Sequence, residues 1–493
     1  MPAPVISIAQ MREWENASWA TGHSEADVIR HVGKCVAERA VRLTQPGGLI
    51  LVLSGRGNNG ADARATLEHF DERPIDTLDV KNPETDFPEL ETLLAIRPAL
   101  VIDGLFGVGI NRPLDAAWVK FIQRINAARL QVLAVDVPSG LDADTGEPQG
   151  AAIEAAVTLT VGAPKIGMLK QSAWRFVGRL EVANDVGLLP LGAPASRRQD
   201  SQSAAMQPAG ETPALPGSFA SELQWTLPED FSGFPPVRPV AGHKGAFGHV
   251  GILAGSAGYH GAAVLAARAA QRAQPGLVTL FTHEAAYVPV ASQLQAVMVH
   301  PWKRETNLPG HFDALLIGPG LASPDLPAEM KQLARDLWQN CPVPVIADAS
   351  ALDWLPQDSP TPKNTIRVLT PHPGEAGRLL KMTAAQVQAN RPEALRELSQ
   401  KFGNCFVVLK GHQTLVGRSN GGIFVNSSGN PHLAQGGAGD VLGGLLAGLL
   451  AQPALQADAL KTLRHGVWRH GAAADALQAT GSHWVVEDLV EVC

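Results

Sequence analysis

The chain has 493 residues, a formal net charge of -7 and a hydrophobic content of 45%, a length that exceeds one ordinary core and predicts two or three domains. The acidic balance speaks against a broad nucleic-acid surface, which needs a basic stripe, but not against an anionic ligand, which backbone amides and helix dipoles can hold. The four cysteines, Cys35, Cys341, Cys405 and Cys493, are scattered without CxxC spacing, so neither a disulfide framework nor a zinc site is expected and a reducing, cytoplasmic compartment fits. No basic stretch followed by an apolar core opens the chain, and the longest apolar run, Val441 to Leu450, is too short for a bilayer. A soluble protein with no membrane partner follows.

In chain order, short apolar runs ending in Gly, Asp or Pro alternate with helical segments. The first half carries "GLILVLSG", "ALVIDGLFG", "QVLAVDVPSG" and "AAVTLTVGAPK". Continuous apolar runs suit strands buried on both faces, so a mostly parallel sheet is expected, with ligands gathered beyond its carboxyl ends. Three strand ends there carry chemistry. "LSGRGNNGADARATLEHF" concentrates small residues, two asparagines and Asp62 at a strand-to-helix turn. Asparagine tolerates left-handed backbone and presents its amide. "VIDGLFGVGINRPLD" places Asp103 at a strand end before a glycine loop and Arg112, and "AVDVPSGLDADTG" places Asp136 and Ser139 at the next. Oxygen-rich groups on adjoining strand ends can cage a hard cation while amides hold phosphate. Each segment alone reads as a capped turn; the three together read as a site.

A seam follows. Leu191 to Glu222 is rich in Ala, Pro, Ser, Gly and Gln, lacks periodicity, and predicts a linker. The expected organisation is a first domain over 1–215, a linker over 216–224 within a low-order region from about 191, and a second domain over 225–493.

The second half repeats the rhythm with "GHVGILAGS", "GLVTLFT", "DALLIGPG", "PVIADAS", "RVLTPHPGE" and "CFVVLKG". "QGGAGDVLGGLLAGLLAQ", Gln435 to Gln452, packs glycines and Asp440 before an apolar helix. A helix starting near Gly439 would present free N–H groups and a positive dipole to phosphate, and Asp440 would handle a substrate hydroxyl. The plain alternative is an Asp N-cap. "VVLKGHQT" ends a strand with Lys-Gly, and "LTPHPGEAGRLL" sets His372 between prolines, with Glu375 in the first helical turn. "HKGAFGHVGILAGSAGYHGAAVLAARAA" supplies a glycine loop, a strand and a second glycine loop.

Together, "HKGAFG", "GSAGYHGAAVLAA", "IGPGL", "TPHPGE", "VLKG" and "NSSGNPHLAQGGAGDVLGG" resemble the ribokinase-like domain of the NAD(P)H-hydrate dehydratases, over residues 225–493. That resemblance implies ADP-dependent dehydration: the hydrate's ring hydroxyl is phosphorylated by Mg2+-ADP, and phosphate then leaves, giving NAD(P)H, AMP and phosphate. It implies Asp440 as the base and hydrate contact, Ala262, Gly320 and His372 in the hydrate pocket, and Lys410, Gly411, His412, Gln413, Thr414 and Gly439 on the nucleotide. Ala322 stands where the family has a second glycine, and its methyl is expected to crowd that loop.

"GNNGAD", "DGLFGVG", "VDVPSGLD" and "TVGAPKIGML" resemble the NAD(P)H-hydrate epimerase domain, a Rossmann-like three-layer fold, over roughly residues 1–215. The family interconverts the R and S hydrates, so that a dehydratase acting on the S form can use both. The resemblance places Asn58, Asn59, Gly60, Ala61, Asp62, Gly107, Val108, Gly109, Ile110, Asn111, Arg112, Pro113 and Asp136 on the hydrate. Asn59, Asp103 and Ser139 would hold potassium, and Asp62 or Asp136 would move the proton. The family reads GPGNNGGDG where this chain has Arg56, Ala61 and Ala63. An alanine forced to positive φ would be strained by about 1 kcal/mol or more. The expectation is thus two three-layer α/β/α domains with mostly parallel sheets, in a homo-oligomeric, bifunctional cofactor-repair enzyme acting on NADHX, NADPHX and ADP. The alternatives are a ribokinase-type kinase of a vitamin precursor with an accessory domain, or a first half that only binds or assembles.

Overall fold

The computed structural model describes residues 2–110, 112–190, 221–304, 308, 312–358, 361–362, 364–481 and 483–493. The predicted linker lies largely outside the described residues, as does Asn111. The chain divides into two compact units, one spanning Ala3–Trp225 and the other containing Thr226–Cys493.

In the first unit, β1 (Ala3–Pro4) pairs antiparallel with the terminal β8 (Leu223–Trp225). Its main sheet contains β2 (Ile50–Ser54), β3 (Ile75–Asp79), β4 (Leu100–Gly104), β5 (Val132–Val135), β6 (Val157–Val161) and β7 (Arg179–Ala183). The order is β3-β2-β4-β5-β6-β7, parallel throughout. Strand periodicity explains the layers. Ile50 and Val52 enter a core with Val28, Val32 and Val36 of the helix Glu25–Leu43. Leu51 and Leu53 enter the opposite core with Leu90, Phe121 and Ile125 of the helices Phe87–Ala95 and Ala116–Ala127. The edge strands β3, "IDTLD", and β7, "RLEVA", were not among the expected runs: their faces are only partly covered, so they alternate instead of being continuously apolar. The chain runs from β2 out to β3 and returns to β4 on the other side of β2, which opens a crevice at the carboxyl ends of β2 and β4.

The second unit contains β9 (His249–Leu253), β10 (Leu277–Thr282), β11 (Met298–Pro301), β12 (Ala314–Ile317), β13 (Val345–Ala347), β14 (Arg367–Leu369), β15 (Phe406–Leu409), β16 (Leu415–Gly417) and β17 (Ile423–Val425). Their order is β17-β16-β15-β14-β13-β12-β9-β10-β11, parallel from β11 to β15 and antiparallel from β15 to β17. The helix Ala438–Leu450 is buried nearly all round and packs on the helix His260–Arg272. Gly444 permits this contact: a Cβ there would lie 2.0 Å from the Ala266 carbonyl oxygen. Gly444 and Gly448, where a Cβ on Gly448 would meet the Ala270 carbonyl oxygen at 2.4 Å, therefore serve helix packing, a reason distinct from the ligand approach expected of Gly436 to Gly439.

Candidate active sites

In the first unit, the crevice is a cavity of about 1090 Å³. Asn58, Asn59, Asp62, Gly107, Val108, Gly109, Ile110, Arg112, Pro113 and Asp136 line it. Gly60 and Ala61 do not: Gly60 is buried at the turn, where a Cβ would lie 2.0 Å from the Gly55 carbonyl oxygen. The segment Asn58–Ala65 is a regular helix, and neither Ala61 nor Ala63 has positive φ. The expected alanine strain is therefore absent. Ala63 is fully buried against Gly104, whose missing side chain makes room for its methyl.

Asp136 does adopt left-handed backbone, with φ 61, which turns its carboxylate into the cavity. One oxygen, Oδ1, receives the Val161 N–H at 2.9 Å, the Thr160 hydroxyl at 3.1 Å and the Lys165 ammonium. Lys165 is fully buried; its other donors reach Thr160 Oγ1 at 2.9 Å and the Val161 carbonyl at 3.0 Å. Asp62 has no such cation. Burial, with Asp136, Glu15 and Glu25 nearby, raises its carboxyl well above the usual range, against a smaller pull from Lys165. Burial also raises Glu15, which lines the same cavity.

Beneath the cavity, Ser139 donates its hydroxyl to Asp103 Oδ1 at 2.6 Å and its N–H to Oδ2 at 2.8 Å. Burial pushes the Asp103 carboxyl up to about 6, against these bonds. Asn59 donates to the Phe106 carbonyl at 2.8 Å, which leaves its buried Oδ1 without a partner. Among the described residues no cluster of three His, Cys, Asp or Glu could hold a metal ion. The Asn–Asp–Ser set offers instead a carboxylate, an orphaned amide oxygen and a hydroxyl, the donors of a hard cation.

In the second unit, successive strand ends meet the helix Ala438–Leu450. Lys410, after β15, donates to Asp348 Oδ1, after β13, at 2.7 Å, and lies 3.9 Å from Glu375 Oε2. Its backbone N–H reaches the Pro371 carbonyl at 2.9 Å, tying the "VLKG" and "TPHPGE" segments together. His372 caps the helix Pro373–Leu380, accepting from Gly374 N–H at 3.0 Å while its own N–H reaches Glu375 Oε2 at 2.8 Å. Gly437, with φ 99, precedes the central helix, and a Cβ on Gly439 would stand 3.3 Å from Lys410 Nζ. Asp440 shares this neighbourhood. Burial, with Asp348 nearby, pushes its carboxyl up to about 7, while Lys410 pulls it down. Burial opposes the Lys410 charge, but Asp348 and Glu375 outweigh it and raise the ammonium.

The Lys410–Thr414 loop has its own support. Arg391 donates to the carbonyls of His412 and Leu409, the latter at 3.0 Å, and Thr414 donates to the Gly411 carbonyl at 3.0 Å. Gly411 and Gln413 have positive φ, and burial, with Arg391 beside it, lowers the His412 imidazole to about 4. Gly320, in the loop after β12, meets Ala262 in the first turn of the helix His260–Arg272: a Cβ on Gly320 would lie 2.9 Å from the Ala262 methyl. Ala322 is exposed and lacks positive φ, so the expected crowding does not occur.

Residues 250–491 match the family model of NAD(P)H-hydrate dehydratase, and residues 73–167 that of the YjeF-related protein N-terminus. The bifunctional NAD(P)H-hydrate repair enzyme of Coxiella burnetii is 31% identical over 96% of this chain and 94% of its own. The chain belongs to the bifunctional NAD(P)H-hydrate repair enzymes. The Vibrio cholerae repair enzyme is 35% identical, covering 80% of this chain and 72% of its own. The crystal structure of the ADP/ATP-dependent NAD(P)H-hydrate dehydratase from Bacillus subtilis, co-crystallized with ATP/Mg2+, is 30% identical, with a TM-score of 0.46 over 52% of this chain and 91% of that one.

Asp348, Lys165, Glu15 and Arg391 escaped sequence reasoning. Asp348 carried a readable signal, since "PVIADAS" ends a strand in Asp as "LVIDG" and "LAVDV" do. Lys165 lies inside the "TVGAPKIGML" motif but was assigned no role. Glu15 and Arg391 lie on helices whose patterns carry no mark of a site.

Proposed function

We propose that this repair enzyme interconverts the R and S hydrates of NADH and NADPH in its first unit and dehydrates the S form with ADP in its second. For the second reaction the carrying observation is Asp440 in the first turn of a helix, beside the Lys410–Asp348 pair. The glycine turn and Lys410 take the negative charge of the nucleotide. Asp440 accepts the hydroxyl proton while the hydroxyl oxygen attacks the β-phosphorus of ADP and AMP departs. The C–O bond then breaks, phosphate leaves with its electron pair, and a ring proton is released to restore the dihydronicotinamide. Mg2+ enters with ADP. His372, Ala262 and Gly320 orient the hydrate, while Gly411, His412, Gln413, Thr414 and Gly439 hold the nucleotide.

In the first unit, Asp136 is ion-paired, whereas Asp62 holds its proton to higher pH. A carboxyl that keeps its proton beside one held in an ion pair suits acid–base work on a substrate between them. Asn59 Oδ1, Asp103 and Ser139 fit potassium, which would neutralise the buried Asp103 and fix the loop beginning at Phe106; Gly107 to Pro113 with Asn58 and Asn59 then hold the hydrate. Unpaired cysteines fit a reducing, cytoplasmic compartment, no helix among the described residues is long and apolar enough to cross a membrane, and homo-oligomeric assembly belongs to the same reading through the family resemblance alone.

The test is an HPLC time course of mixed R and S hydrates with ADP. Full consumption with AMP and phosphate formed supports both reactions. A plateau with the R form left removes the first, and no loss of hydrate with ADP removes the second.

A further inference from the structure

Taking the first unit as the hydrate epimerase, the cavity has a second end that this reading leaves unused. Asp136 follows β5 and Asp62 lies in the helix after β2, so the reacting ring belongs among the ends of β2, β4 and β5. The cavity continues past β2 to β3, where Val80 and Lys81 line it. From β5 to β3 is three strand spacings, roughly 14 Å at about 4.8 Å each. An extended dinucleotide spans a distance of that order from its nicotinamide to its adenosine ribose.

The cations at this far end are exposed side chains on the loops that follow β2 and β3. Ser54 is in register with Asp79, and the Val80 N–H reaches the Ser54 carbonyl at 2.8 Å, which sets Arg56 opposite Lys81. Arg56 Nη2 donates to the Lys81 carbonyl at 2.8 Å, joining the two loops, and both residues line the cavity mouth. In dinucleotide folds, an acid at this strand end engages the ribose 2′-hydroxyl, and an arginine nearby accommodates a 2′-phosphate. Here the strand-end acid, Asp79, is turned to the Ser54 hydroxyl and Arg64 and does not line the cavity. Asp86, the other neighbouring acid, is occupied by the N–H groups of Lys81 and Asn82, at 2.8 and 2.9 Å. The remaining rim cations lie elsewhere: Arg12 near Glu15, and Arg112 in the loop after β4.

We propose that Arg56 and Lys81 form a subsite for a phosphomonoester on the adenosine ribose, so that the first unit takes the phosphorylated hydrate in preference to the unphosphorylated one. Arg56, the residue that replaces the usual proline of the turn, thereby selects substrate.

The test compares KM and kcat for epimerisation of the R hydrates of NADPH and NADH by the full chain and by Arg56→Ala and Lys81→Ala. The expected result is a lower KM for the phosphorylated hydrate in the parent. Each substitution should raise that KM about tenfold, as loss of a charge-assisted contact does, and leave kcat and the KM of the other hydrate unchanged. The preference should also shrink with added salt. Equal KM values in the parent, or substitutions that raise both alike, would overturn the subsite. Calorimetry with adenosine 2′,5′-bisphosphate against adenosine 5′-monophosphate tests it without catalysis. Tighter binding of the bisphosphate, lost in Arg56→Ala, supports the subsite even if neither hydrate is epimerised, an outcome that would remove only the epimerase reading. Binding unaffected by Arg56→Ala counts against the subsite.

Discussion

Asp440 shows how neighbours set the work of one side chain. Its carboxyl is raised to about 7 by burial and by Asp348, and as the proposed base it works only once ionised, so dehydratase turnover should rise as pH passes through about 7. Asp348→Asn removes a negative neighbour, eases ionisation and should move the midpoint of the kcat–pH profile to lower pH; an unmoved midpoint argues against this coupling. The stability sign is opposite. The folded protein holds the Asp440 proton to higher pH than the unfolded chain does, so folding loses stability as pH climbs from the ordinary carboxylate range through about 7. Asp440→Asn should flatten that slope, read as urea midpoints across pH, and abolish hydrate dehydration. At Lys165 the charge is buried and committed. Lys165→Met strands Asp136 and should cost about 3–5 kcal/mol by thermal melting, whereas pairing it with Asp136→Asn should recover most of that loss.

At the scale of elements, two contacts decide whether the second site is assembled. The helix carrying Asp440 reaches its place because Gly444 lets it lie against Ala266. Gly444→Ala forces those helices apart and should lower stability by about 1–3 kcal/mol in urea titration, with dehydratase activity falling alongside. The Arg391 guanidinium holds the Lys410–Thr414 loop by its carbonyls. Arg391→Met should raise the KM for ADP far more than it changes kcat, because the side chain supports the loop proposed to hold the nucleotide and not the proposed base, Asp440. A fall in kcat alone would contradict that role. The strand runs were legible because both faces of the inner strands are buried, which makes them continuously apolar. The edge strands β3, β7 and β11 were hidden by their half-exposed faces; β16 and β17 were missed as well, although β13 and β14 are no longer than they are.

At the scale of the molecule, the chemistry separates into units whose sites share no residue. Exchange into potassium-free buffer should slow epimerisation and lower the melting temperature of the first unit, while ADP-driven consumption of the S hydrate continues unchanged. Loss of both activities together would argue against a cation at Asn59, Asp103 and Ser139. Asp62→Asn should leave the R hydrate behind in a mixed time course, and Asp440→Asn should leave both.

Local residue order by itself determined the α/β class, the strand ends that carry polar groups, and the motifs that mark the family, because burial on both faces and the demands of tight turns are written in consecutive residues. It misjudged Ala61 and Ala63: whether an alanine is strained depends on its φ, which here belongs to an ordinary helix facing Gly104. Tertiary structure alone decided which charges meet. Lys410 and Asp348 stand far apart in sequence yet form one ion pair, as do Lys165 and Asp136, because parallel strands deliver distant segments to the same edge of a sheet. The field at a carboxyl depends on that spatial company and on the loss of water around it, and neither is a property of adjacent residues.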